Sequence, residues 1–561
     1  MKADTVRHNM RGVRRRFALG FAVTLSIPAL LMASQPTSGN FTPSGSPWLS
    51  RVAITNRVVS SPTTGGGFPD PSGVPVPGTC AAGPYDSNHY ESWLAVKPGS
   101  ETLVGASKFF FDRFSTFHNF HVGSYTISGD SATNNIVQGY DCVTTGSQAM
   151  PPTWTNVTDP NVAFDTKGRA YMAVGPFNAY WTSLNPGSAI DVSYSDDLGA
   201  HWIKGNGGRD LEKPAKTSSY SHRFDDKQFI AVNQIPGSPD QDHVFAMWTM
   251  YKGTASEVRI AVSRDRGQTF SPPVRVSMPA SVGAKNTFVY PSIDAAGDVY
   301  ASFVAFPNNK PATIYVTRSG DDGRTWSGFS PVATIDYLPT CCLPNTTFQA
   351  GLIESFVASP TYPGHLYMAW EGWDGTQADI MFTQSTDRGQ TWSPAVIVND
   401  NVDATGAPTH QFQPTITAGP DGAVAVAFYD QRGVCPNDPS VLPSNVGKTG
   451  SCIDTSLQAY HDSGNGAIAL GRNVRISAFS WDPQNPAQTR GGLHQLACAG
   501  FDDTCPYSFI GDYFGLAISE NNVYALMTST HYPSGVTADG GGPIYYGQQV
   551  LATVSREALG Q

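Results

Sequence analysis

One eight-residue pattern occurs four times in this 561-residue chain and limits the possible folds more than any other feature. It reads Ser195-Asp196-Asp197-Leu198-Gly199-Ala200-His201-Trp202, then Ser263-Arg264-Asp265-Arg266-Gly267-Gln268-Thr269-Phe270. It returns as Ser319-Gly320-Asp321-Asp322-Gly323-Arg324-Thr325-Trp326 and as Ser385-Thr386-Asp387-Arg388-Gly389-Gln390-Thr391-Trp392. From serine to serine the intervals are 68, 56 and 66 residues. A motif at near-constant spacing marks stacked supersecondary units, and a period of this size between short β-rich runs predicts propeller blades. Asp bonds nearby backbone N–H groups and Gly tolerates positive φ, so each copy reads as a turn between strands. Its aromatic residue is free to fold back over the hairpin. The aspartates of the motif are therefore turn residues rather than catalytic acids.

A second repeat runs through the chain independently of the first. A polar residue leads a short apolar run, a Pro/Asp/Gly turn follows, and a second run carries aromatic or small residues. The seven copies begin at Glu91, Asp159, Asp226, Tyr290, Glu354, Gln413 and Asp512, the last followed by Tyr513. Seven copies predict an all-β fold, a β-propeller of seven four-stranded blades over residues 91–555, with six blades as the alternative count. Near-continuous apolar runs suit strands buried on both faces, so the first strand of each copy is placed nearest the axis. The four Ser-x-Asp patterns then fall between the third and fourth strands of blades two to five. A decayed copy stands at Ser128-Gly129-Asp130 in blade one. Blade six carries an insertion over 433–452, with its fourth strand expected at 473–476. Residues 51–60 hold a lone strand-like stretch, expected to close the last blade as its fourth strand beside a third at 545–554. Residues 61–90 read as a Gly/Pro-rich loop.

Composition bounds the setting. Charged residues are 14%, well below the usual quarter, while 56 Gly and 42 Pro suit many turns. Arg14-Arg15-Arg16 precede an apolar run from Phe17 to Met32, and Ala33 and Ser34 are suitable cleavage residues. Residues 1–34 therefore read as an export signal that resembles the twin-arginine type, followed by a polar linker over 35–50. The expected location is secreted or extracytoplasmic, with no stable membrane insertion. Outside the basic first 34 residues the chain is acidic, about −15 of a formal −10 overall, which argues against a nucleic-acid partner. Eight cysteines in an exported chain suggest disulfides. Cys435–Cys452 and Cys498–Cys505 are plausible close pairs, leaving Cys80, Cys142, Cys341 and Cys342. No Cys/His spacing resembles a zinc site, so no metal or cofactor is expected, and the chain is expected to act as a monomer.

Topology directs attention away from the repeated turns. In an up-and-down blade they lie on the face opposite the starts of the inner strands. The starts, with the loops between second and third strands, gather Glu91, Asp159, Asp226, Tyr290, Glu354, Asp512, Tyr513, Trp181, Trp373, Asp430, Arg432 and His531 at one mouth. Carboxylates, Tyr, Trp and Arg around one mouth suit a sugar site, because aromatic faces stack on sugar rings and paired carboxyls cleave glycosidic bonds. Asp226, Glu354, Asp512 and Tyr513 are the catalytic candidates. The others are candidates for binding substrate, with Arg432 the main cation.

The Ser-x-Asp-x-Gly-x-Thr-aromatic frame resembles the Asp-box of the sialidase superfamily, whose bacterial-neuraminidase repeats build propellers. That resemblance implies a secreted glycoside hydrolase acting on an extracellular glycan or polysaccharide. Sialidases use an Asp acid/base and a Tyr–Glu nucleophile pair, roles for which Asp226, Tyr513 and Glu354 are the candidates here. Two departures stand beside it: sialidases have six blades, and this chain lacks their Phe/Tyr-Arg-Ile-Pro motif. The box also occurs outside hydrolases, so a polysaccharide lyase and a non-catalytic glycan- or protein-binding propeller are the alternatives.

Overall fold

Strand pairing in the computed structural model yields seven four-stranded antiparallel sheets, arranged as the blades of a ring. The structure describes residues 52–60 and 88–561, apart from 111–119, 138–153, 178–186, 213–222, 280–284, 308–310, 402–408, 534–541, most of 484–507 and a few isolated positions. The segments expected as export signal and linker, and nearly all of the 61–90 loop, lie outside the described residues. No helix among the described residues is long and apolar enough to cross a membrane.

The inner strands are His89–Val96, Asn156–Phe164, Arg223–Val232, Lys285–Ile293, Ser355–Ala358, Gln411–Ala418 and Gly515–Ile518. Six of them contain or directly follow a leading residue, and the seventh begins three residues after Asp512. The ring closes as the pattern predicts. Ile54–Val58 is the outer strand of blade seven and pairs antiparallel with Gln548–Ser555, Ile54 opposite Val554 and Val58 opposite Val550. Two details differ from expectation. The most continuously buried strands are the second ones, such as Leu103–Phe110 and Ala170–Phe177, because the inner strands turn one edge to the axis. The outer strand of blade six runs over Ala467–Arg475, longer than the predicted four residues. Its solvent-facing side carries Ile468, Gly471 and Arg472, which hide the alternation expected of a half-buried strand.

The repeated turns share one hydrogen-bond pattern. Ser195 Oγ donates to Asp197 Oδ1 at 2.7 Å and accepts from the Gly199 N–H at 2.8 Å, and Asp197 Oδ1 accepts the His201 N–H at 2.9 Å. The same bonds recur at Ser263, Ser319 and Ser385. The residue before each glycine and the glycine itself both have positive φ, at Leu198 (62°) and Gly199 (87°) for example. The glycine is needed twice over there, since a Cβ at Gly199 would also sit 3.2 Å from the Trp202 ring. That ring packs on the preceding blade rather than on its own hairpin. Trp202 Nε1 donates to Ser124 Oγ at 3.0 Å, and the ring lies among Val104 and Val122 of blade one.

Cys435 and Cys452 form a disulfide that staples the blade-six insertion, and Cys341 pairs with Cys342. The pairing of Cys80, Cys142, Cys498 and Cys505 lies outside the described residues.

Asn56 joins the closing strand to blade six. Its Nδ2 donates to Ile476 O at 2.8 Å and its Oδ1 accepts the Ala478 N–H at 2.7 Å, both buried. Asn56→Ala leaves those backbone groups unpaired and is expected to cost about 1–3 kcal/mol of stability, measured by denaturant unfolding.

Candidate functional site

Five inner strands carry the same bulge. The pairing register shifts between Tyr90 and Trp93, Thr158 and Asn161, Asp226 and Phe229, Thr287 and Tyr290, and Phe412 and Thr415. Within each bulge one non-glycine residue has positive φ: Glu91 (52°), Asp159 (54°), Lys227 (52°), Phe288 (55°) and Gln413 (48°). Such a conformation is costly for a side-chain-bearing residue, and a bulge re-aims the side chain that carries it. Charged bulge residues from three blades meet here. Lys227 Nζ lies 3.4 Å from Asp159 and 2.8 Å from Asp512. Lys108, from the second strand of blade one, pairs with Glu91 and lies 4.0 Å from Asp159.

Burial and charge set the protonation of this cluster. Burial alone would raise the Asp159 carboxyl, but Lys227 and Lys108 outweigh it and hold it well below the usual carboxylate range. Burial, followed by the charge of Asp159, pushes Glu91 well above that range. Burial raises Asp226 to about 6 against the pull of Lys227, with Asp159 adding to the rise. Burial also lifts Glu371 to about 8 and Glu354 well above its ordinary value. Lys227 keeps its charge although burial opposes it, because Asp159, Asp512, Asp226 and Glu91 surround it. Ionised and protonated carboxyls thus stand side by side. Asp226 is half-buried, and the side chains of Lys227 and Asp512 are 14% and 13% exposed, which makes these three the accessible members. Glu91 and Asp159 are nearly closed off.

Beneath the charges the axis is plugged by rings from four blades. Phe229 lies 4.3 Å from Tyr290 and 5.6 Å from Tyr513, and Trp93 lies 5.1 Å from Phe229 and 5.9 Å from Tyr513. Beyond this plug, toward the face of the repeated turns, the inner strands line an open pocket of about 290 Å³. Burial raises the Tyr513 hydroxyl well above its usual value, with Asp159 and Glu91 adding to it; burial and then Glu354 do the same for Tyr290.

Of the residues singled out from sequence, Glu91, Asp159, Asp226, Asp512, Tyr290 and Tyr513 come together around the axis. Glu354 is reached across Tyr290, with Ser302 Oγ 3.4 Å from its Oε1. Others lie elsewhere. Asp430 and Arg432 form a network away from the axis: Arg432 Nε donates to Asp430 at 2.7 Å and its Nη1 to Asp400 at 2.6 Å. Trp373 is half-buried, with its ring 6.3 Å from that of His410. His531 stacks on Phe479 at 3.9 Å and lies 3.1 Å from Asp438. Trp181 is outside the described residues. The two axial lysines were absent from the sequence reading of the site. The signal for Lys227 was spacing: Glu91, Asp159 and Lys227 are successively 68 residues apart, the interval of the first two repeated turns.

No family model and no curated protein matches this chain. Solved structures do. An ulvan lyase from a polysaccharide lyase family matches with 10% identity and a TM-score of 0.42, over 85% of this chain and 97% of its own. A Hadza microbial sialidase matches with 13% identity and a TM-score of 0.39, over 82% and 74%. The α-L-arabinofuranosidase Arb93A of Fusarium graminearum matches with 10% identity and a TM-score of 0.38, over 72% and 94%.

Glu371 gives the cluster a measurable pH dependence. Its Oε1 accepts the Gln413 N–H, and its Oε2 is buried with no hydrogen-bond partner. A folded-state value near 8 against 4.5 unfolded means that the folded chain holds this proton more tightly. The resulting stability is fully present below about 4.5 and is lost as pH rises through about 8. Glu371→Gln is expected to flatten the fall in stability between pH 5 and 8 by on the order of 2 kcal/mol, read from unfolding curves across that range.

Proposed function

We propose that this chain is an exported glycoside hydrolase acting on an extracellular glycan, with Asp226 as proton donor and Asp512 as base at the axial mouth. The observation that carries this reading is a pair of partly exposed carboxyls in one cluster, one of them raised by burial and the other paired with a lysine. Asp226 sits near pH 6, accessible and able to hold a proton, while Asp512 is accessible and paired with Lys227. In the proposed step, Asp226 gives its proton to the glycosidic oxygen as the bond to the anomeric carbon breaks. Asp512 takes a proton from the water that adds to that carbon, and Lys227 fixes its orientation. Trp93, Tyr290 and Tyr513 form the apolar floor beneath the ring.

The Asp-box resemblance and the glycan-acting neighbours agree with this substrate class. A lyase would need a tyrosine or histidine as base, and burial, with Asp159 and Glu91 adding to it, keeps the Tyr513 proton in place, which weighs against that alternative. The exo-sialidase form of the proposal needs a cation for the substrate carboxylate, and Arg432 is held elsewhere by Asp430 and Asp400.

The test is a product screen over neutral, amino, uronic and sialylated glycans, reading new reducing ends and ultraviolet absorbance. Hydrolysis is expected to release reducing ends without an unsaturated product. Turnover is expected to fall as pH rises past about 6, where Asp226 loses its proton. Asp226→Asn is expected to lower kcat by about 10²–10⁴ and to abolish that alkaline limb. Full turnover in that variant removes Asp226 from the mechanism.

A further inference from the structure

We infer that the open pocket beneath the aromatic plug binds a small uncharged molecule that carries a carbonyl group on an apolar body. This site is separate from the one assigned to the glycan. Trp93, Phe229 and Tyr290 pack together as the plug and also line the pocket, with the acidic cluster on their other side. All seven inner strands contribute to the walls, and among the described residues no Asp, Glu, Lys, Arg or His lines them. Burying a charge with no partner is costly, so such walls turn ions away. Ala231, Val357 and Ala418 are half-buried lining residues that offer apolar surface to a ligand.

Three polar side chains in the walls face the ligand with donors. Asn161 Oδ1 accepts the Ile230 N–H at 2.8 Å, Ser292 Oγ accepts the Ala358 N–H at 2.8 Å, and Ser355 Oγ accepts the Ile416 N–H at 3.0 Å. Each bond ties one blade to the next and uses the acceptor of the side chain. The donors are left over. Asn161 is almost fully buried, and its Nδ2 has no hydrogen-bond partner. A buried donor left unpaired costs free energy that an acceptor on a ligand relieves. A ketone oxygen supplies acceptor lone pairs, brings no donor of its own and carries no net charge. The pocket, at about 290 Å³, has room for on the order of ten non-hydrogen atoms at ~30 Å³ each.

The test titrates four compounds of similar size near neutral pH, followed by ligand-observed NMR: acetophenone, ethylbenzene, benzoate and benzylammonium. Acetophenone is expected to bind saturably. Ethylbenzene, which keeps the ring and lacks the acceptor, is expected to bind severalfold more weakly. The two ions are expected to bind at least tenfold more weakly than acetophenone. Ala231→Phe fills the pocket from its wall and is expected to abolish acetophenone binding while glycan turnover at the mouth is unchanged. If that variant does not fold, the four-compound series carries the test. No saturable acetophenone binding, equal binding of either ion or of ethylbenzene, or binding that survives Ala231→Phe overturns the inference. Absence of glycan turnover with acetophenone bound overturns the hydrolase reading instead and leaves this site standing.

Discussion

A carboxylate held between two lysines anchors the centre of this protein. Asp159 is buried, and burial by itself would drive it to the neutral form. Lys108 from blade one and Lys227 from blade three reverse that. Asp512 from blade seven faces Lys227, and Glu91 from blade one, held neutral by burial and by Asp159, lies against Lys108. Removing any one partner would strand a charge in a medium that cannot solvate it, which is far costlier than the modest value of a complete network. The neighbours are thereby fixed in both position and protonation. Asp226 holds a proton to a higher pH than a free carboxyl partly because Asp159 beside it is ionised.

The backbone accepts strain to bring these groups together. A regular inner strand would alternate its side chains between the two faces of the blade. The shared bulge breaks the alternation at equivalent positions and turns Glu91, Asp159 and Lys227 toward one another. The same device presents Phe288 and Gln413 in blades four and six, so the bulge belongs to the fold, whereas the charge at its tip belongs to the site. Lys227 thus enters an acidic ring without any change of backbone plan, while Lys108 arrives from the second strand of blade one.

Much of the architecture was legible from residues alone. Four Ser-x-Asp turns and seven polar-led apolar runs were enough to number the blades and to place Ile54–Val58 as the closing strand, because turn chemistry and alternation are local signals. The site was legible only in part. Glu91, Asp159, Asp226 and Asp512 were visible as polar residues ahead of apolar runs. Lys227 was not, because its carboxylate partners arrive from blades two and seven, and nothing local distinguishes such a lysine from a solvated one. Arg432 misled for the converse reason. It follows a buried strand, yet Asp400, more than thirty positions earlier, holds it away from the axis. The reach of the aromatic in the repeated turn was also a tertiary matter, since Trp202 finds its partner Ser124 on the preceding blade.

Ring closure has a consequence for how such a chain matures. Ile54 and Val554 pair although they stand at opposite ends of the fold. Blades one to six are built from consecutive strands and can form as the chain lengthens, with low contact order inside each. Blade seven cannot be completed until its last strand has been made. For that whole interval Ile54–Val58 is an edge without a neighbour, the kind of surface that invites pairing with another chain. The ends of the chain therefore decide when the molecule stops being adhesive, and an early stop anywhere before Gln548 would leave a nearly finished ring with that liability intact.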